Sequence, residues 1–350
     1  MQAGVLHGPH DLRVEAVPDP ICGSGDVVIA VAYNGLCGTD ASEYTKGPGM
    51  VPLLTRHAGS GHVGPTVLGH EFIGTVVEAG RDVASWKGRR VACGAGVSCG
   101  TCAWCKAGRT NLCARYYTLG LSIHGGLAEF VAAPAATCRV ISEDCADLDA
   151  ALAQPLAVGI HAAKRADVRA GDTVVLLGVG AIGSFIAAAL AGHDGPVIAL
   201  DIDEGRLDVA RQLGATATHC IAPDASPADL RDLVPQGAEV VFETAGVNGA
   251  AARALAMAGR GGTVMLVGLN RTPQPLELAD VVLREVDIKT TVAHVCDSDL
   301  PRALDLLAQR PLSSLLLDRV VPLSDVVAGG FERLANGGAT GKILVDPRRG

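Results

Sequence analysis

Gly171–Asp203 reads GDTVVLLGVGAIGSFIAAALAGHDGPVIALDID, and the architecture follows from how this stretch divides. Thr173–Leu177 is a short apolar run rich in Val and Leu, the composition of a strand buried on both faces. It gives way to Gly178-Val-Gly180-Ala-Ile-Gly183 and then to the Ala-rich Ser184–Ala191, which favours helix. A second apolar run, Val197–Leu200, ends on Asp201, 18 residues beyond Gly183. One glycine permits the tight turn, one lets a pyrophosphate approach the backbone, and one lets helix pack on strand. The helix N-terminus offers free N–H donors and the positive end of its dipole to phosphate. Asp201, at the tip of the second strand, is placed to accept hydrogen bonds from ribose hydroxyls. A GxGxxG alone often marks only a turn. With a strand before it, a helix after it and an acid at this distance, it predicts a dinucleotide site.

Composition sets the frame around that stretch. A chain of 350 residues with 49% hydrophobic content has material for two cores. Its net charge of −8 gives no electrostatic reason to expect nucleic acid or an anionic membrane as partner. No apolar run reaches the length of a membrane span, and the opening MQAGVLHGPHDLRVEAVPDP lacks a basic-then-apolar signal. Eleven cysteines, an odd count in a long chain, fit a reducing cytoplasm with some thiols on metal better than a disulfide scaffold.

Outward from Gly171 the two sides differ. On the C-terminal side, helix and strand alternate: a helix at Glu204–Leu213, strands at Glu239–Glu243 and Thr263–Val267, a helix near Ala250–Ala258 and a last strand at Ile288–Ala293. That alternation predicts a doubly wound parallel sheet, an α/β fold. On the N-terminal side the chain reads as mostly β through about residue 150, with Asp26–Ala32 its clearest strand. Tyr33–Asp40 reads as a loop, residues 45–65 as a long surface loop, and Leu148–Arg165 as a single connecting helix. Leu300–Gln309 reads as helix and Lys342–Val345 as a closing strand.

Two constellations carry chemistry in the N-terminal part. Cys99-x2-Cys102-x2-Cys105-x7-Cys113 supplies four thiols within 15 residues. Four soft ligands suit a tetrahedral structural zinc, closed to substrate. Disulfides would be strained at this spacing; an iron–sulfur cluster is the alternative four-cysteine reading. The second set is Cys37, His70 and Glu71. Such residues commonly belong to core and surface, but Cys, His and carboxylate with an open fourth place are also the ligands of a catalytic zinc. Asp40 is a candidate to hold the second nitrogen of His70, as an outer carboxylate does, and Thr39 to donate a hydroxyl to a metal-bound alkoxide.

In order along the chain, Gly35-Leu-Cys37-Gly-Thr-Asp40, Gly69-His-Glu71, the four-cysteine lobe ending Gly108-Arg-Thr-Asn-Leu-Cys113, Gly178-Val-Gly-Ala-Ile-Gly183 and Gly341-Lys-Ile-Leu-Val345 resemble zinc-dependent medium-chain alcohol dehydrogenases. Glu43-Tyr44, Gly47-Pro48 and Gln154-Pro-Leu-Ala-Val-Gly-Ile-His161 are most similar to the branch with 2,3-butanediol and sorbitol dehydrogenases. The resemblance implies a GroES-like, mostly-β catalytic domain from residues 1–149 and 291–350. A Rossmann domain at 150–290 would be inserted between, with the active site in the cleft and a homodimer or homotetramer as the assembly. It implies two zinc ions per chain, one on Cys37, His70 and Glu71 and one on Cys99, Cys102, Cys105 and Cys113. NAD would be bound by Gly178, Gly180, Ile182, Gly183, Asp201, Arg206, Val267 and Leu269, and Thr39 would begin a proton relay supported by Asp40. The implied activity is hydride transfer between NAD and a secondary alcohol, a vicinal diol, polyol or cyclitol. A threonine-like amino alcohol, or a dinucleotide-binding protein without turnover, are the alternatives.

Two positions depart from the branch. Gln154 stands where an acid usually precedes the proline, on the zinc or one water from it. Ser42 stands where a histidine often passes the proton to solvent. Neither side chain acts as a base near neutral pH.

Overall fold

The computed structural model describes residues 1–349. Two compact units emerge: Met1–Ala157 with the chain from His294 onward, and Val158–Ala293.

In the second unit, six parallel strands lie in the order Ala217–Cys220, Val197–Asp201, Val174–Leu177, Ala238–Glu243, Ala258–Leu266, Asp287–Thr290. The order runs outward in one direction from Val174–Leu177 and then restarts on its other side. That reversal opens a crevice at the carboxyl ends of the strands. Val174, Val175, Leu176 and Leu177 are buried, as their composition predicts. The Ala181–Ala189 helix begins at Gly180, and a Cβ on Gly183 would stand 2.2 Å from the Gly178 carbonyl oxygen. Only glycine lets helix and strand approach this closely. The next helix, Glu204–Leu213, is capped by the Asp203 carboxylate, which accepts from the Arg206 N–H, and stops at left-handed Gly214.

The first unit is built on a seven-stranded sheet. Its path runs Cys138–Val140, Arg90–Cys93, Glu71–Ala79, Asp26–Gly35, Lys342–Asp346, Leu317–Pro322, and Phe130–Pro134 also pairs with Asp26–Gly35. A three-stranded sheet joins Gln2–Gly8 to Asp11–Ala16 and Thr66–Val67. Val27, Ile29, Val31, Phe72 and Val131 fill one core; Leu6, Leu36, Leu68, Val326 and Phe331 fill another.

The structure corrects three local expectations. Leu148–Arg165 is two helices, Asp147–Ala150 and Ala153–Ala166, with Pro155 in the first turn of the second. A proline there costs nothing, because the N–H it lacks would have no partner within the helix. Tyr33–Asp40 is no loop: the strand reaches Gly35 and a helix, Gly38–Lys46, starts at once with Cys37 as its N-cap. The Ile288–Ala293 strand is Asp287–Thr290, at the sheet edge.

Candidate active site and metal centres

Strand pairing assembles the first constellation. Gly35 lies opposite Glu71 in the antiparallel pair Asp26–Gly35/Glu71–Ala79. The end of one strand therefore delivers Cys37 to the place where the other begins with His70-Glu71. Gly69, at φ +93°, makes the turn into that strand; a Cβ there would meet Asn34 Oδ1 at 2.4 Å and the Leu127 N at 2.7 Å. The ligand atoms of Cys37, His70 and Glu71 lie within 4.8 Å of one another.

Asp40 is fully buried and works in two directions. One oxygen accepts from the Cys37 N–H at 2.9 Å, and the other stands 3.2 Å from His70 Nδ1. The carboxylate thus ties the thiol's backbone to the imidazole and leaves Nε2 as the nitrogen available to a metal. Burial alone would push the His70 imidazole down, but the Asp40 charge and Cys37 outweigh it and hold the ring well above its ordinary value. Three atoms here, Asp40 Oδ1, His70 Nδ1 and Glu71 Oε2, are buried without a well-directed hydrogen bond. A thiol, an imidazole and a carboxylate whose ligand atoms converge in this way fit a metal ion.

Thr39 is half-buried and Ser42 exposed, both on the Gly38–Lys46 helix. Gln154 is half-buried in the first turn of Ala153–Ala166. One site residue escapes sequence reasoning. Lys342 is buried and its ammonium contacts Glu71 Oε2. The Leu344/Gly35 pairing and the bond from the Leu36 N–H to the Ile343 carbonyl bring it level with Cys37. Burial would lower its pKa, yet Glu71, Cys37 and Asp40 hold it above the ordinary lysine range. A cation in an apolar closing strand was the available signal.

The four-cysteine lobe is also gathered, its sulfurs within 4.8 Å of one another. A zinc tetrahedron with Zn–S bonds of about 2.3 Å sets sulfurs about 3.8 Å apart, so one ion fits. Backbone N–H groups already point at the sulfurs: Cys102 N to Cys99 Sγ at 3.4 Å, Cys99 N and Arg115 N to Cys113 Sγ at 3.2 and 3.3 Å. Hydrogen bonds from Thr101 and the Cys102 N–H bring the Cys99 thiol down to about 5, while burial and its neighbouring thiols push Cys105 up to about 11. Donors aimed at sulfur stabilise thiolate, the form that ligates metal.

In the second unit, Asp201 ends its strand beside the glycine loop. Its Oδ2 accepts from the Val179 N–H at 2.8 Å, and its Oδ1 accepts from the Asp203 N–H at 3.1 Å. Arg206 Nη1 stands 3.5 Å from the same Oδ1. Gly178, at φ +91°, makes the turn, and Ile182 lies half-buried in the first helical turn. Val267 is half-buried and Leu269 almost fully exposed, just past the strand Ala258–Leu266.

With this geometry in place, the comparisons decide the family. Residues 23–143 match the alcohol dehydrogenase GroES-like domain, and residues 178–309 the zinc-binding dehydrogenase domain. Sorbitol dehydrogenase of Bacillus subtilis (strain 168) is 32% identical over 88% of this chain and 86% of its own. The chain belongs to the zinc-binding alcohol dehydrogenase family. L-Threonine 3-dehydrogenase of Streptomyces coelicolor is 33% identical over 94% of each chain. The crystal structure of 2R,3R-butanediol dehydrogenase from Bacillus subtilis superposes with a TM-score of 0.89 at 27% identity, over 99% of each chain. A GroES-like unit with a Rossmann unit is thus this dehydrogenase's fold.

Proposed function

We propose that this dehydrogenase oxidises a secondary alcohol of a vicinal diol or polyol, reversibly, with NAD as hydride acceptor. The convergence of Cys37, His70 and Glu71 within 4.8 Å carries the reading. Those three residues hold the catalytic zinc, and Cys99, Cys102, Cys105 and Cys113 hold a structural one. When bound, the catalytic ion supplies Lewis acidity toward the substrate oxygen, and the nicotinamide supplies the hydride acceptor. The chain's own residues do the rest. Asp40 fixes the His70 tautomer and, through the Cys37 N–H, the approach of the thiol. Thr39 takes up the hydroxyl proton and passes it outward. Ser42 is exposed on the same helix, so the proton leaves to water rather than to an imidazole. Gln154 orients water by hydrogen bonding and takes no proton.

In the second unit Gly178, Gly180, Gly183 and the amide end of the Ala181–Ala189 helix receive the pyrophosphate. Asp201 and Arg206 take the adenosine ribose, and Val267 and Leu269 face the nicotinamide. The relatives named for sorbitol and 2R,3R-butanediol support a diol or polyol; the one named for L-threonine makes an amino alcohol the competing substrate.

The chain works as a homodimer or homotetramer in the cytoplasm. Leu278, Val282, Leu283 and Ile288 stand exposed on the helix Leu278–Leu283 and the sheet-edge strand Asp287–Thr290, a surface suited to a second copy. None of the described helices is long and apolar enough to cross a membrane.

The test is NADH formation across sorbitol, 2,3-butanediol stereoisomers and L-threonine, with zinc counted per chain. Cys37→Ser and His70→Ala lose turnover by at least a thousandfold and keep NADH binding. Normal turnover by His70→Ala overturns the assignment, and activity confined to threonine overturns the substrate class.

A further inference from the structure

The buried ammonium of Lys342 contacts the carboxylate of Glu71, which converges with the other two candidate ligands, Cys37 and His70, and a glycine makes room for the pair. A Cβ on Gly35 would stand 2.5 Å from Glu71 Oε2 and 3.1 Å from Lys342 Cε. Glu71 is 1% exposed and Lys342 6%, so neither exchanges its partner for bulk water. The pair is therefore built into the sheet: Gly35 on Asp26–Gly35, Glu71 on the strand to one side, Lys342 on the strand to the other.

We propose, resting on the assignment of zinc to Cys37, His70 and Glu71, that Lys342 is a positioning residue that competes with the metal for Glu71. It retains Oε2 and leaves one carboxylate oxygen for the ion. The charges explain the purpose. Cys37 as ligand thiolate, Glu71 and Asp40 bring three negative charges into a buried space. A dication and one lysine bring three positive charges, so the loaded site is neutral, a condition that burial favours strongly. Lysine and metal ion both attract the same carboxylate and repel each other. Each weakens the other's hold on Glu71. The consequence is a zinc bound less tightly than its ligand set allows, with Glu71 kept as a ligand through one oxygen.

Zinc competition against a chromogenic chelator, at fixed pH and ionic strength, reads this directly. The catalytic ion is identified as the release phase that Cys37→Ser removes, and the lobe ion as the phase that remains. Lys342→Met should bind the catalytic zinc at least tenfold more tightly than wild type. Its metal-free form should unfold at lower temperature, because Glu71 is then buried without its counter-charge. Lys342→Arg keeps the charge and should stay within about threefold of wild-type affinity. In a Glu71→Gln background, Lys342→Met should change zinc affinity by less than threefold, since the coupling runs through the carboxylate. If Lys342→Met does not fold, Lys342→Gln reads the same quantity.

Unchanged or weaker zinc binding in the lysine variants overturns the competition. So does a tightening that persists without Glu71. A wild-type chain that holds zinc only in the lobe overturns both this inference and the catalytic assignment beneath it; two zincs with lysine-insensitive affinity overturn this inference alone.

Discussion

With the coenzyme site proposed above, the choice between NAD and NADP is expected to rest on the charge of one side chain, Asp201. Asp201 is 95% shielded from solvent, and its two oxygens already accept from the Val179 and Asp203 N–H groups, which fix the carboxylate at the strand tip. NAD would offer ribose hydroxyls to this acceptor; NADP would set a 2′-phosphate against it. Two unit charges about 4 Å apart repel by about 4 kcal/mol at the effective dielectric of a protein surface. Arg206 offsets part of this. Its guanidinium stands 3.5 Å from Asp201 Oδ1 and is 40% exposed, so a charge-assisted bond to phosphate returns about 1–2 kcal/mol. A net of about 2–3 kcal/mol corresponds to a preference for NAD of roughly 30- to 150-fold. The informative variant is Asp201→Asn rather than Asp201→Ala. Asn keeps an oxygen for the buried Val179 N–H, whereas Ala would strip the glycine loop of that acceptor and weaken both coenzymes. Asp201→Asn should bring the preference below tenfold, mainly by improving NADP. The assay is kcat/KM for both coenzymes at constant ionic strength, with NADH and NADPH affinities by fluorescence. A wild-type preference below tenfold, or one for NADP, would refute the placement of this acid.

Cys102→Ser should release about one zinc per chain and lower Tm by several degrees, because binding to four thiolates is folding energy; unchanged metal content and Tm would exclude the lobe as a metal site. Ser42→His should raise turnover two- to tenfold near neutral pH, where an imidazole of pKa about 6.5 exchanges protons at the exposed end of the Gly38–Lys46 helix; a flat response would mean that proton exit is not limiting. Asp318 accepts from Arg333 Nε at 2.7 Å, and that bond holds its carboxyl below the ordinary value. A depressed folded pKa gives stability that is present above the unfolded value near 3.9 and lost as pH falls through the folded one. Asp318→Asn should therefore lower Tm by a few degrees at pH 7 and hardly at all near pH 2, by calorimetry at both values.

What was legible in the sequence was local. Val174–Leu177, the glycine turn and Asp201 lie within one stretch whose residues specify strand, turn and helix by themselves. The four cysteines lie within 15 residues, and their convergence requires no distant partner. Harder to read were Ala217–Cys220 and Leu317–Pro322, which lie at sheet edges, where partly exposed side chains blur the apolar run that marks a strand. The helix Pro227–Leu233 is equally faint although Ser226 and Asp229 form a capping box, because it buries only Leu230 and so lacks a strong apolar stripe.

The proposed catalytic constellation divides along the same line. His70-Glu71 and Cys37-Thr39-Asp40 were visible as two short motifs, but no spacing rule joins segments so far apart along the chain. The Gly35/Glu71 register joins them. Lys342 is the extreme case. As a single lysine at the head of Lys342–Asp346 it reads as a solvated strand end, since lysine is almost never fully buried unless paired. Its partner lies at the far side of the sequence, and the pairing exists because Lys342–Asp346 adds to Asp26–Gly35 on the edge opposite Glu71–Ala79. Gly35 leaves the space that the pair occupies, and a cation in an apolar strand was the one sign of it in the sequence. A buried charge whose partner is set by sheet topology becomes readable only once strand order is known, and its chemistry follows from that order rather than from any motif.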